Sequence, residues 1–265
     1  MTKVIKAPLQ GTGLTEVVTV GCLHLGKENK AFADIFYDYV DEKQPHIIVS
    51  GGDLTDAGQF RGSARNGEGG KISPAELTRA IEKDYNYTRE FVNKTSINCE
   101  NLYMIRGNHE LRYERIAETQ ELFKNTLSYD TYCAEWAPEA THVRDWGGGQ
   151  ELRIGKARFI HGRYYGTGHL KQHFDRYGDH TYYWHTHEYA VASFHKNASL
   201  NAPQVATLGC GEKLLPDWML GSPHKWVNCF QHWYFEPNGN FQMYNIMVNG
   251  NKAIMPNGEV WTGKG

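Results

Sequence analysis

Thirteen histidines in 265 residues are the first chemical signal, because imidazole is the side chain most often used to bind metals and to move protons near neutral pH. Their company matters more than their number. Gly21-Cys22-Leu23-His24, Gly51-Gly52-Asp53-Leu54-Thr55-Asp56, Gly107-Asn108-His109-Glu110, His161-Gly162 and His185-Thr186-His187 follow one another along the chain, each just past a short apolar or aromatic run. In extended backbone, residues i and i+2 point to one side, so Cys22 with His24, and His185 with His187, can each aim two ligands into one cavity. The adjacent glycines allow sharp turns and close approach by a substrate. One such His alone reads as a packed or surface residue; five ordered clusters read as a metal-dependent site.

The elements that must carry these clusters are legible from apolar patterning. Val17 to Val20, His46 to Val49, Leu102 to Ile105 and Arg158 to Ile160 read as buried strands. Between the first two, Phe32, Ile35, Phe36 and Val40 stand at helical spacing within Ala31 to Val40. A second helix begins at Ser73, where Ser73, Pro74 and Glu76 supply an N-cap, a favourable first position and a capping-box partner. Alternating strand and helix through about residue 125 predicts crossover units with parallel pairing, and ligands gather at the strand ends of such sheets. After about residue 140, turn signals at Ile154-Gly155, Pro237-Asn-Gly239, Asn249-Gly250 and Pro256-Asn-Gly258 predict hairpins. The expected architecture is α/β, two sheets face to face with helices outside. One domain is expected over 1–265, with a catalytic core at about 15–190 and C-terminal hairpins at about 200–265 completing the second sheet. The segment Ala57 to Ile72 carries Arg61, Arg65 and Lys71 among five glycines and reads as a long mobile loop of the functional kind.

Composition bounds the rest. With 40% hydrophobic and 22% charged residues the chain is globular, and 28 basic against 30 acidic residues argue against a general polyanion coat while leaving room for a local basic patch. Cys22, Cys99, Cys133, Cys210 and Cys229 are odd in number and lack C-x-x-C spacing, which suits a reducing compartment. No apolar run approaches a membrane span, and Lys3 and Lys6 are followed by Pro8, Gly11 and Gly13 rather than a signal-peptide core. A soluble, cytoplasmic protein with no membrane partner is expected.

The ordered clusters resemble the calcineurin-like metallophosphoesterase superfamily, whose motifs run D-x-H, GD-x-x-D, GNH[DE], H and GH-x-H; the resemblance covers about residues 15–190. It implies the metallo-dependent phosphatase fold, a four-layer αββα sandwich of two mixed β-sheets flanked by helices, and two divalent metal ions (Mn, Zn or Fe). Carried over position by position, Cys22, His24, Asp53 and His187 would hold one ion and Asp53, Asn108, His161 and His185 the other, with Asp53 bridging. Such a pair activates hydroxide and steadies both phosphoryl oxygens of an in-line displacement. His109 would be the general acid, with Asp56 orienting it. Glu110 equally suits the first turn of the helix that follows.

Three positions depart from the family pattern. Ala57 stands where the phosphoprotein phosphatase branch has Arg, which argues against protein phosphatase activity although Arg106-Gly-Asn-His-Glu110 is similar to that branch. Arg112, Arg115, the Gly-Cys-Gly stretch and the Trp-rich tail look more like compact enzymes common in phage genomes. Trp184 stands where Gly usually precedes the paired histidines. Cys22 replaces Asp, as in the Gly-Cys-x-His of the RNA lariat-debranching branch, and a softer thiolate favours zinc or iron over magnesium.

For the substrate, Lys156, Arg158, Arg163, Lys171 and Arg176 surround His161, while Tyr164, Tyr165, Tyr182, Tyr183 and Trp184 interleave with the ligands. Arg112, Arg163 and Tyr164 are the expected substrate contacts, since phosphates pair with Arg and bases stack on aromatics; core packing and a solvated surface explain the same residues otherwise. The expected activity is hydrolysis of phosphodiesters, and of phosphomonoesters as a variant, in nucleotides, DNA or RNA. Two alternatives stand beside it: a 2',5'-phosphodiesterase similar to lariat debranching, and a binding or scaffold protein whose metal site has decayed. His142, His169, His173, His180, His195, His224 and His232 are read as structural or exposed.

Overall fold

The computed structural model describes residues 2–60, 73–119, 127–194, 202–214 and 224–264. In chain order its main elements are β1 (Lys3–Lys6), β2 (Thr15–Val20), α1 (Lys30–Lys43), β3 (Ile47–Ser50), α2 (Pro74–Ser96), β4 (Asn101–Ile105), α3 (Leu111–Thr119), β5 (Thr141–Val143), β6 (Gln150–Ile154), β7 (Ala157–Phe159), α4 (His169–Tyr177), β8 (Thr181–Tyr183), β9 (Tyr189–Ser193), β10 (Gln204–Leu208), β11 (Cys229–Phe235), β12 (Phe241–Asn249), β13 (Lys252–Ile254) and β14 (Val260–Thr262). They form an eight-stranded sheet, β14-β13-β12-β11-β2-β3-β4-β5, and a six-stranded sheet, β1-β6-β7-β8-β10-β9.

Strand alternation divides the core. Val18, Val20, Ile48, Leu102 and Met104 face α1 and α2, where Phe32, Ile35, Phe36 and Phe91 meet them. Their neighbours Val17, Ile47, Val49, Tyr103 and Ile105 face the second sheet, against Leu152, Ile154, Phe159, Tyr182 and Trp184. On the far side Ile160, Tyr183 and Val205 pack on Phe174 of α4. The layers are therefore helix, sheet, sheet, helix. Both helices start as the sequence requires: Asn29 accepts from the Phe32 amide to cap α1, and Ser73 with Glu76 forms a reciprocal capping box at α2.

The turns expected at Ile154-Gly155, Pro237-Asn-Gly239, Asn249-Gly250 and Pro256-Asn-Gly258 each join an antiparallel pair, but the second half departs from expectation in two other ways. β7, β8 and β10 run parallel to one another, with α4 as the crossover between β7 and β8, and β1 closes the sheet parallel to β6. The strands after residue 228 do not complete the second sheet but extend the first, because β2 leaves an edge open that β11 takes up antiparallel, from Gln231 opposite Thr19 to Phe235 opposite Thr15. Burial of β11 on both faces is that of an interior strand. Two side-chain bonds fix the register: Thr19 Oγ1 donates to Gln231 Oε1 at 2.9 Å, and Trp233 Nε1 donates to Thr19 Oγ1 at 3.0 Å. Of the basic loop, Gly58–Phe60 forms one 3₁₀ turn; positions 61–72, with Arg61, Arg65 and Lys71, lie outside the described residues, as does His195. Among the described residues no helix is long and apolar enough to cross a membrane.

Candidate metal centre

All five sequence clusters sit at the C-terminal ends of strands that run parallel within their sheets: β2, β3 and β4 in the larger sheet, β7 and β8 in the smaller. The loops after β2 and β3 stay zipped, Cys22 N donating to Gly52 O at 2.9 Å and His24 N to Asp53 O at 3.0 Å. Among the described residues seven non-glycine positions have positive φ, and five of these are Cys22, His24, Asp53, His185 and His187, at 46° to 61°. Each such conformation costs ~1–3 kcal/mol and persists only where surrounding structure enforces it, which is typical of sites that hold a ligand.

The side chains converge. His24 Nε2 lies 3.3 Å from His187 Nε2, and His185 Nδ1 lies 3.3 Å from His161 Nε2. His161 Nε2 is also 3.2 Å from Asp53 Oδ2 and 3.1 Å from Asn108 Oδ1. One ligand atom each from Cys22, His24 and His187 falls within 4.8 Å of the others, and the same holds for Cys22, Asp53 and His161, so the thiol belongs to both groups. Two pairs of imidazole nitrogens facing each other at this distance are unfavourable unless protons or cations lie between them. The donor set of one sulfur, four imidazoles, a carboxylate and an amide oxygen fits two ions of the zinc, iron or manganese kind.

Electrostatics agree with a cation-binding cavity. Burial raises the Asp53 carboxyl, but His161 and His109 outweigh it and hold it well below the usual carboxylate range. Burial likewise disfavours the His161 cation, yet Asp53 lifts that histidine to about 9. Burial, aided by His161, lowers His185 to about 4, and burial with His24 lowers His187 well below the ordinary value. Burial and the Asp53 charge push the Cys22 thiol well up; a coordinated cation reverses that, because the metal is then the largest local charge.

Glu110 is an anchor. Only 2% exposed, its carboxylate accepts from Gly107 N at 2.8 Å, Thr55 N at 3.0 Å and Asp53 N at 3.1 Å, tying the loops after β3 and β4 together. Gly107 is required there, since a Cβ would collide with the Asp53 backbone and carboxyl. His109 lies beside this anchor, its Nδ1 2.6 Å from the Asp56 backbone oxygen and its Nε2 2.8 Å from Arg112 Nη2. The contact that orients His109 is thus the Asp56 carbonyl. The Asp56 carboxylate, 3.8 Å from Nδ1, is drawn instead to Lys27 Nζ at 2.6 Å and His24 Nδ1 at 3.5 Å.

The expected substrate contacts divide. Arg112 lies at the site, also donating to Asp56 O at 2.9 Å. Arg163 turns away: the chain bends at Gly162, with φ 109°, and the guanidinium lines a separate cavity of about 480 Å³ with Asp145, Arg176 and Tyr177. Tyr164 packs edge-on against His173, 4.9 Å between ring centres. Its neighbour Tyr165 is 78% exposed and 6.3 Å from the His185 ring. Residues that spacing did not suggest complete the cleft of about 130 Å³: Lys27, Glu212 and Trp226, the last 4.3 Å from the His187 ring. Gly209-Cys-Gly-Glu212 follows β10 as the other clusters follow their strands, which was the available signal for Glu212.

A family model described as calcineurin-like phosphoesterase matches residues 15–240. No curated protein matches the chain. Among solved structures the chain is similar to vacuolar protein sorting 29 from Cryptosporidium parvum, with 14% identity, 94% of this chain and 97% of that one covered and a TM-score of 0.47. It is also similar to wild-type Vps29 complexed with zinc from Entamoeba histolytica, with 11% identity, 93% and 96% covered and a TM-score of 0.43. Vps29 from Chaetomium thermophilum gives 9% identity, 89% and 98% covered and a TM-score of 0.41.

Proposed function

The chain belongs to the calcineurin-like phosphoesterase family, and from that premise we propose that it is a dinuclear metal-dependent phosphodiesterase acting on nucleotides or nucleic acid. Cys22, His24, Asp53 and His187 hold one cation and Asp53, Asn108, His161 and His185 the other. The observation that carries this is the convergence of these side chains at five strand ends, most of them held at positive φ, with His109 and Arg112 alongside. Bound divalent cations supply Lewis acidity toward phosphoryl oxygens and acidify water.

The chain's own residues do the rest. With Nδ1 committed to the Asp56 carbonyl, proton traffic at His109 runs through Nε2, the atom 3.9 Å from Asp53 Oδ2. Burial, reinforced by His24 and Arg112, lowers His109 to about 3. A phosphoryl group entering the cleft brings negative charge, which favours the imidazolium form that a leaving oxygen needs. Arg112 meets a non-bridging oxygen with permanent positive charge. Trp226 at His187 and exposed Tyr165 at His185 offer faces on which bases stack, which favours nucleic acid over a compact monoester.

The test is hydrolysis by metal-stripped protein reloaded with manganese, zinc or iron, on nitrophenyl mono- and diesters, single-stranded DNA and RNA, and a 2',5'-linked dinucleotide. Diester cleavage lost on stripping and restored by metal is expected. No hydrolysis with any ion refutes the enzyme and leaves a scaffold on this fold.

A further inference from the structure

Position 22 lacks the carboxylate that the superfamily pattern places there, yet a carboxylate stands beside the same histidines. Glu212, 5% exposed, puts Oε2 3.6 Å from His24 Nε2 and 3.6 Å from His187 Nδ1. Donor atoms that share one tetrahedral ion at bonds of ~2.1 Å stand ~3.4 Å apart. His24 Nε2 to His187 Nε2, at 3.3 Å, and His24 Nε2 to Glu212 Oε2 both fit that spacing. We propose that Glu212 is a ligand of the ion held between His24 and His187, supplying the anionic oxygen that this chain does not have at position 22.

The placement is built by backbone. Gly211 N and Glu212 N both donate to Cys22 O at 3.2 Å, so the loop after β10 is hydrogen-bonded to the very residue whose side chain departs from the family pattern. Gly209, at φ 72°, turns the chain toward it. Gly211 lets it come close, since a Cβ there would stand 2.7 Å from Phe32 Cε1. Lys213 N then donates to Lys27 O at 2.9 Å, closing the loop over the β2 end. With Cys22 as thiolate, the first ion has a sulfur, two imidazoles and the Glu212 carboxylate beside the shared Asp53, a set that suits zinc or ferrous iron and disfavours magnesium. Asp53 remains the ligand shared with the second ion, its Oδ2 3.2 Å from His161 Nε2.

This rests on the two-cation reading above, and its failure is separable from failure of that reading. Zinc is titrated into the metal-stripped full chain against a chromophoric chelator, for the parent, Glu212→Gln and Glu212→Asp. The parent takes up two ions. Glu212→Gln, close in shape and without charge, binds one of them at least ~10-fold more weakly and the other unchanged, whereas Glu212→Asp keeps part of the lost affinity. Cobalt in place of zinc reports the ligand field: the visible bands shift in Glu212→Gln while the sulfur-to-metal band of Cys22 stays. Parental affinities and an unchanged cobalt spectrum in Glu212→Gln overturn the assignment and leave two-metal hydrolysis standing. A parent that binds no zinc overturns both.

Discussion

Trp184 occupies the place where the superfamily usually has Gly, and the structure shows what that exchange demands. Its indole is fully buried between the sheets, against Gly21 and Gly51, the first residues past β2 and β3, one before Cys22 and two before Asp53. A Cβ at position 21 would lie 2.6 Å from the ring, and one at position 51 would overlap it. Trp184→Gly therefore empties a slot that two glycines keep open. A buried Trp covers ~200 Å², worth ~5 kcal/mol at ~25 cal/mol per Å². Among the described residues its Nε1 has no hydrogen-bond partner, and relief of that orphan donor returns ~1–3 kcal/mol. The net loss is ~3 kcal/mol, or ~6–12 °C in melting temperature for a chain of this size. Gly51→Ala in the parent overpacks the slot at ~1–3 kcal/mol, since position 51 has no positive φ and the penalty is steric alone. Combined with Trp184→Gly the same methyl enters vacated space and costs nothing or gains. Thermal unfolding of the four proteins reads the coupling as a double-mutant cycle. Equal destabilisation by Gly51→Ala in both backgrounds would refute the packing argument.

Three further outcomes are expected. His109→Gln slows diesters with poor leaving groups by ~100-fold or more and spares nitrophenyl diesters, which need no proton; equal loss on both, by steady-state kinetics, rules out the acid role. Cys22→Asp stays active with its preference moved toward manganese, while Cys22→Ala weakens the first ion; chelator competition that finds parental zinc affinity in Cys22→Ala removes the sulfur from the coordination sphere. His173 is one acid-sensitive element outside the cleft: Arg163 N donates to its Nε2 at 3.1 Å and its Nδ1 donates to His169 O at 2.8 Å, so the folded ring is neutral. Burial, with His185 and Arg176 adding to it, lowers this histidine to about 4, below the ~6.5 of an unfolded chain. The unfolded chain binds more protons between those values, so the stabilisation, ~3 kcal/mol at most, is full above ~pH 6.5 and lost as pH falls toward 4. His173→Gln flattens the fall in melting temperature over that window, and an unaltered slope counts against it.

The sequence made the strand ends legible because each buried run closes with Gly or His within two residues, a pattern set by the site as much as by the fold. Two sheets with helices outside followed from the alternation of strand and helix and the later turn signals, and the four-layer αββα order from the family resemblance. Sheet membership after residue 228 was not legible: β11 pairs with a strand more than two hundred residues earlier, and nothing local encodes that partner. β1 is not legible for the same reason, four residues pairing with β6 across the chain. At the site, residues grouped by spacing meet, but Arg163 and Tyr164 were assigned by proximity to His161 in sequence, and the bend at Gly162 turns them elsewhere. Glu212 was hidden because one Glu after Gly-Cys-Gly has no ligand spacing of its own.

The account stands or falls on two ions sharing Asp53. Crystals of the zinc-loaded protein, with anomalous diffraction on either side of the zinc edge, locate the ions directly. Two peaks ~3.5–4 Å apart, both touching the Asp53 carboxylate, with Cys22 Sγ ~2.3 Å from one of them, are expected. A single peak, or peaks that Asp53 does not touch, would contradict it.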